Sequence, residues 1–156
     1  MSSNTFNVVK NQIKELPNNI ESEQAVIGSI LVSNDIFDEI SIIIDNKKFY
    51  DPVHQKIFFA IESLISKGML ANPITLKNYF ENDNSLDELQ GHEYLVKITK
   101  FSTSQRQALE YAKIIYDMYV RRELIKISES TIENASNKTL ELPGDKIIEQ
   151  SEKLLF

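Results

Sequence analysis

The stretch that most constrains this chain is Ser104 to about Ala135, SQRQALEYAKIIYDMYVRRELIKISESTIENA, which contains neither glycine nor proline. Apolar or small residues recur at helical spacing through Leu109, Ala112, Tyr116, Val120, Leu124, Ile127 and Thr131. A second apolar row takes in Tyr111, Ile115, Met118 and Ile125, so the middle of the helix is apolar on more than one face. Ser104 with Gln107 three residues on has the pattern of a capping box. About 30 residues rising 1.5 Å each make a rod of roughly 45 Å. The roughly 100 residues before it would form a ball about 34 Å across. The expectation is a rod that overhangs its ball and needs partners.

The rest of the chain reads as short helices with local start signals. Residues 1–17 are polar and unpatterned apart from Phe6, Val8 and Val9, and are expected to form a flexible tail ending at Pro17. Asn19 is a good N-cap, and Glu21 and Glu23 suit the positive end of the first helix dipole. Ala25, Val26, Ile27, Ile30 and Leu31 make that helix apolar nearly all round, hence central. Gly28 lies within it, which implies close approach of another helix.

Asn34 is expected to cap a second helix. Asp51-Pro52 and Asn72-Pro73 each pair an N-cap with proline at the first helical position. Lys67-Gly68 reads as a helix end, residues 82–90 as a loop, and Gly91 as the opening of a fifth helix. After the long helix, SNKTLELPG (136–144) reads as a turn, followed by a helix carrying Ile147, Ile148, Ser151, Leu154 and Leu155. Ile42-Ile43-Ile44 could form a short strand, but Asp45-Asn46 stops it. The fold class is therefore all-α, with a globular head of about five short helices (18–102) and a long helical hairpin (103–156).

Composition narrows the function. The net charge is −6. Residues 1–103 carry nine basic and fourteen acidic side chains, net −5, and residues 104–156 carry eight and nine, net −1. Duplex DNA binding draws on clustered Lys and Arg, which neither part supplies. There are no cysteines, which removes disulfides and thiolate metal sites and fits a cytoplasmic protein. No apolar run approaches 18 residues, so no membrane span is expected.

Catalytic signatures are missing. The sequence has no GxxxxGK[ST], GxGxxG or HExxH. Of the two histidines, His54 reads as a first-turn polar or core residue rather than a general base. The carboxylate pairs Asp35/Asp38, Glu129/Glu133 and Glu149/Glu152 could in principle hold Mg²⁺, as in an all-α Mg-dependent nucleotide hydrolase, but they lie on separate segments and read as solvated surface. A helical DNA-binding regulator is the other alternative, and the charge speaks against it. Arg121-Arg122-Glu123 interrupts the apolar stripe, with Asp117 placed to pair with Arg121.

Five blocks resemble the N-terminal domain of DnaB-type replicative DNA helicases. They begin with Pro17-x-x-Ile20-Glu21-x-Glu23-Gln24-x-Val26-Ile27-Gly28-x-x-Leu31. Phe49-Tyr50 with His54-x-x-Ile57-Phe58 and Leu64-x-x-x-Gly68 follow, then Thr75-Leu76 and Gly91-x-x-Tyr94-Leu95, and finally Tyr111-Ala112-x-Ile114-Ile115 with Arg122 and Leu124-Ile125. The family often has Asp at Asn72 and Gly at Gln90. The resemblance, over about 16–156, implies a collar of a hexameric helicase, built as a trimer of dimers through neighbouring hairpins, with a docking surface for primase and, for the parent, a helicase loader. It implies no catalytic, cofactor or metal residue here. ATP, Mg²⁺ and DNA would belong to a RecA-like motor that would begin beyond this chain. The residues expected to serve self-association and partner contact are Tyr116, Tyr119, Val120, Arg122, Glu123, Leu124, Ile127, Ile148 and Leu155.

Overall fold

The computed structural model describes residues 15–81 and 91–156. The expected tail residues up to 14 and the expected 82–90 loop lie outside that range. In chain order the helices are α1 (Ile20–Val32), α2 (Phe37–Ile43), α3 (Pro52–Ser66), α4 (Pro73–Phe80), α5 (His92–Thr99), α6 (Gln105–Ser136) and α7 (Gly144–Leu155). Short 3₁₀ turns occupy Asn34–Ile36 and Asn46–Lys48. No strand occurs among the described residues, so the all-α reading holds.

Local chemistry starts most of these helices. The Asn19 side chain accepts from Ser22 N at 2.9 Å, and that of Asp51 from Val53 N at 2.9 Å. Asn72 closes a full capping box: its side chain accepts from Thr75 N, and Thr75 Oγ1 accepts from Asn72 N. α3 ends in a Schellman motif, with Gly68 N donating to Ile65 O, Met69 N donating to Leu64 O, and Gly68 at φ +74°.

Two expectations need correction. Asn34 does not cap α2. Its amide nitrogen donates to the Ile30 and Ala71 carbonyls, and its oxygen accepts from Ala71 N at 2.8 Å. The side chain pins the loop before α4 to the end of α1, and these longer-range bonds displace a local cap. At Ser104 only half a capping box forms. Ser104 Oγ accepts from Gln107 N at 3.2 Å, while the Gln107 side chain bonds Thr103 and Tyr111 instead.

Contacts divide the chain into two units, Asn18–Tyr119 and Val120–Phe156, and the described residues before Asn18 belong with the second. The division falls inside α6 rather than at 102/103 because Ala108, Ala112 and Ile115 join the head core. In the head, α1 is enclosed: Val26, Ile27 and Ile30 are fully buried. Around it sit Phe37, Ile40, Phe49, Phe58, Ile61, Leu76, Leu95 and Ile98. Phe58 packs against Phe49 and Phe37 with ring centroids 5.1 and 5.6 Å apart. α5 lies so close to α1 that a Cβ on Gly28 would stand 2.2 Å from the Ile98 carbonyl oxygen. That is the close approach the mid-helix glycine implied.

Candidate interaction surface and a buried polar knot

The head carries one feature that helical spacing alone does not reveal. Glu23 is 1 % exposed and His54 wholly buried, and their side chains meet at 2.8 Å through Oε1 and Nδ1. Glu23 also accepts from Tyr50 N at 2.8 Å and Asp51 N at 3.3 Å, so three donors satisfy the carboxylate just before the start of α3. A carboxylate can only accept, which makes Nδ1 the donor. In the neutral ring Nε2 is then the acceptor, and it takes the proton of the Tyr94 hydroxyl, 2.6 Å away. Burial pushes the Tyr94 hydroxyl above its ordinary value near 10. A bond from the Gln24 side chain opposes this, and the charges of Asp51 and Glu23 add to the rise. The imidazole and phenol rings stack at 6.0 Å between centroids.

The Glu–His–Tyr order has the form of a proton relay, but His54 has no exposed surface from which to meet a substrate. The triad ties α1, α3 and α5 together instead. His54 is therefore a core residue, as its position in the first turn suggested. Glu23 carries far more than a dipole contact. Its partners are 27 to 31 residues away in sequence, so no local signal could have named them.

The second unit has the opposite character. Its apolar residues are mostly uncovered: Ile147 is its one buried apolar side chain. Leu124 is 46 % exposed, Ile148 60 %, Leu155 51 % and Leu140 96 %. Between the C-terminal end of α6 and α7 runs a groove of about 620 Å³, lined among others by Thr131, Ala135, Leu142, Ile147, Ile148 and Leu155. At its floor Thr131 Oγ1 donates to the Ile127 carbonyl at 2.8 Å, so the Ser151 hydroxyl, 3.0 Å away, is the donor to Thr131.

The nine expected contact residues distribute unevenly. Ile148 and Leu155 come together in the groove. Val120, Leu124 and Ile127 lie earlier on α6, the first and last half-buried. Glu123 pairs with Lys126 at 3.3 Å. Arg122 is 6 % exposed and donates from Nη1 to the Pro17 carbonyl at 2.8 Å, so its guanidinium is engaged within the chain. Tyr116 and Tyr119 belong to the head unit, where the Lys48 ammonium sits 4.4 Å from the Tyr119 ring centroid. Leu140 and Leu142 were not foreseen. They sit in a turn, outside any periodic stripe.

Among the described residues no group of three or more His, Asp or Glu side chains is placed to hold a metal ion. No described helix is long and apolar enough to cross a membrane.

Comparison with known proteins gives a consistent answer. A family model described as "DnaB-like helicase N terminal domain" matches residues 15–117. The replicative DNA helicase DnaB of Rickettsia typhi is 36 % identical over 160 residues, covering 99 % of this chain and 32 % of that protein. Its counterpart in Rickettsia conorii is 39 % identical over 141 residues, covering 90 % and 28 %. The chain thus spans about a third of the length of these relatives. The crystal structure of the N-terminal domain of DnaB helicase from Mycobacterium tuberculosis superposes with a TM-score of 0.80 at 21 % identity, covering 90 % of this chain and 98 % of that one, a likeness of fold.

Proposed function

The chain belongs to the DnaB-like helicase N-terminal domain family, and from that premise we propose that it is the assembly domain of a replicative helicase. Its task is to bring subunits together through the 120–156 unit and to offer a docking surface to primase. Unwinding, ATP hydrolysis and DNA contact fall to the rest of the full-length protein. A hexameric ring built as a trimer of dimers is the assembly this reading implies.

The observation that carries the self-association is the exposure of the second unit's apolar residues. A two-helix element with one buried apolar side chain has almost no core of its own. Large uncovered apolar surface on such an element marks an interface. Leu124 is the test position because it is 46 % exposed, so a polar residue there leaves the head core untouched.

The purified chain should associate at least to a dimer by light scattering, against a chain mass of 18.0 kDa, and should not hydrolyse ATP. Leu124→Asp should remove association while the helical signal is retained. Burying a leucine is worth about 1.5–3 kcal/mol, and a symmetric dimer counts it twice, so the loss is about 10² to 10⁴ in the dimer constant. A chain that stays monomeric at high concentration, or an L124D variant that associates unchanged, refutes the reading.

A further inference from the structure

α7 is weakly anchored for a helix that forms part of an interface. It has 12 residues, at the length where an isolated helix is marginal in water. Its first turn follows Pro143 and receives no side-chain cap. Within its unit, one buried isoleucine and the Ser151–Thr131 hydroxyl pair hold it against the 120–136 part of α6. Against these stands the ordering of a seven-residue connection, 137–143, and the helix itself. Ile148, Leu154 and Leu155 are exposed and add little until something covers them.

We infer that α7 docks onto α6 as part of self-association, so that folding of the hairpin and pairing of two chains are one coupled step. This rests on the self-association reading above. The cover is the same unit of a second copy. Residues 120–156 carry six basic and seven acidic side chains, net −1, so two copies meet without strong repulsion. The two floor hydroxyls satisfy each other, so they ask for no polar ligand. Ile148 and Leu155 both line the groove and project from it, the self-matching arrangement a two-fold interface requires. The consequence is regulatory: at low concentration the head stays folded while the hairpin opens, and association switches the hairpin on.

Amide hydrogen exchange on the whole 156-residue chain, at concentrations on both sides of the dimerisation midpoint fixed by light scattering, tests this. The amides of α7 should exchange at least tenfold faster below the midpoint, with those of α1 unchanged. Gly144→Ala is the second arm. A Cβ there meets nothing within 4 Å, and alanine favours the helix. It should slow α7 exchange in the monomer and tighten association by about two- to fivefold per copy. Equal α7 protection on both sides of the midpoint, or a G144A chain with a better protected α7 and unchanged association, overturns the coupling and leaves self-association standing. A chain that never associates overturns both.

Discussion

Replacing Gly28 with alanine sets two well-known effects against each other, and the structure decides the sign. In the middle of a 13-residue helix, alanine is favoured over glycine by about 0.8–1.0 kcal/mol. Propensity alone therefore expects G28A to stabilise the protein. The structure expects the reverse. The new Cβ would lie 2.2 Å from the Ile98 carbonyl oxygen and 3.2 Å from Ser102 N. A carbon and a carbonyl oxygen in contact ordinarily stand about 3.3–3.6 Å apart, so α5 would have to retreat by about 1 Å. The obstacle is backbone, which cannot rotate away as a side chain tip can. The same oxygen accepts from Phe101 N at 3.1 Å, and the turn beyond it is held by Thr103 N donating to Ser29 Oγ at 3.0 Å. Overpacking of this kind costs about 3 kcal/mol, the upper end of its usual range. Subtracting the propensity gain leaves a loss of about 2 kcal/mol. At about 4 °C per kcal/mol for a head of this size, the melting temperature should fall by about 8 °C. Thermal and urea denaturation followed by far-UV circular dichroism measure this directly. A G28A chain as stable as the parent, or more stable, would show that α1 and α5 are not packed as described.

Two further outcomes follow from the buried knot. Glu23→Gln puts an amide donor opposite either Tyr50 N–H or the His54 and Asp51 donors, whichever way it turns, and should cost about 3 kcal/mol in urea denaturation; a loss under about 1 kcal/mol would mean the carboxylate is not the acceptor for all three. Because burial raises the Tyr94 hydroxyl above its ordinary value, the unfolded chain ionises first as pH climbs. Stability should hold below about pH 10, then fall until the folded hydroxyl itself ionises. Tyr94→Phe should show a shallower alkaline loss, and identical curves for the two chains would refute the assignment.

What the sequence discloses is what local chemistry controls. Asn19, Asp51 and Asn72 act on amides two or three residues away, so their roles can be read from a short window. Lys67-Gly68 is legible for the same reason, since only the last turn of α3 is involved. Asn34 has the same side-chain chemistry and fails as a cap because a partner 37 residues away competes for it. Glu23 is misjudged in the same direction. The length of α6 is legible, but not where the head claims it, because Ala108 and Ala112 look like any small residues on a helix until the core is known. The candidate surface is legible in part. Ile148 and Leu155 stand out by periodicity, whereas Leu140 and Leu142 come from a turn.

The residues that carry the family resemblance gather at the knot and its surroundings. Glu23, Gln24, Tyr50, His54 and Tyr94 bond to one another or to shared partners, and Phe49 packs edge-on against His54 at 6.5 Å. Gly28 lets α5 close against the same helix. These positions demand a particular side chain because a buried carboxylate, a buried imidazole and a helix contact each leave little choice. The exposed apolar residues of 120–156 make no such demand: any amphipathic pair of helices could present Leu124, Ile148 and Leu155. Family membership therefore speaks chiefly about how the head is held together. Choice of partner resides in residues that can change without touching that knot. Exchanging the exposed residues of the second unit for those of a relative should thus redirect association while leaving the head's melting behaviour as it was.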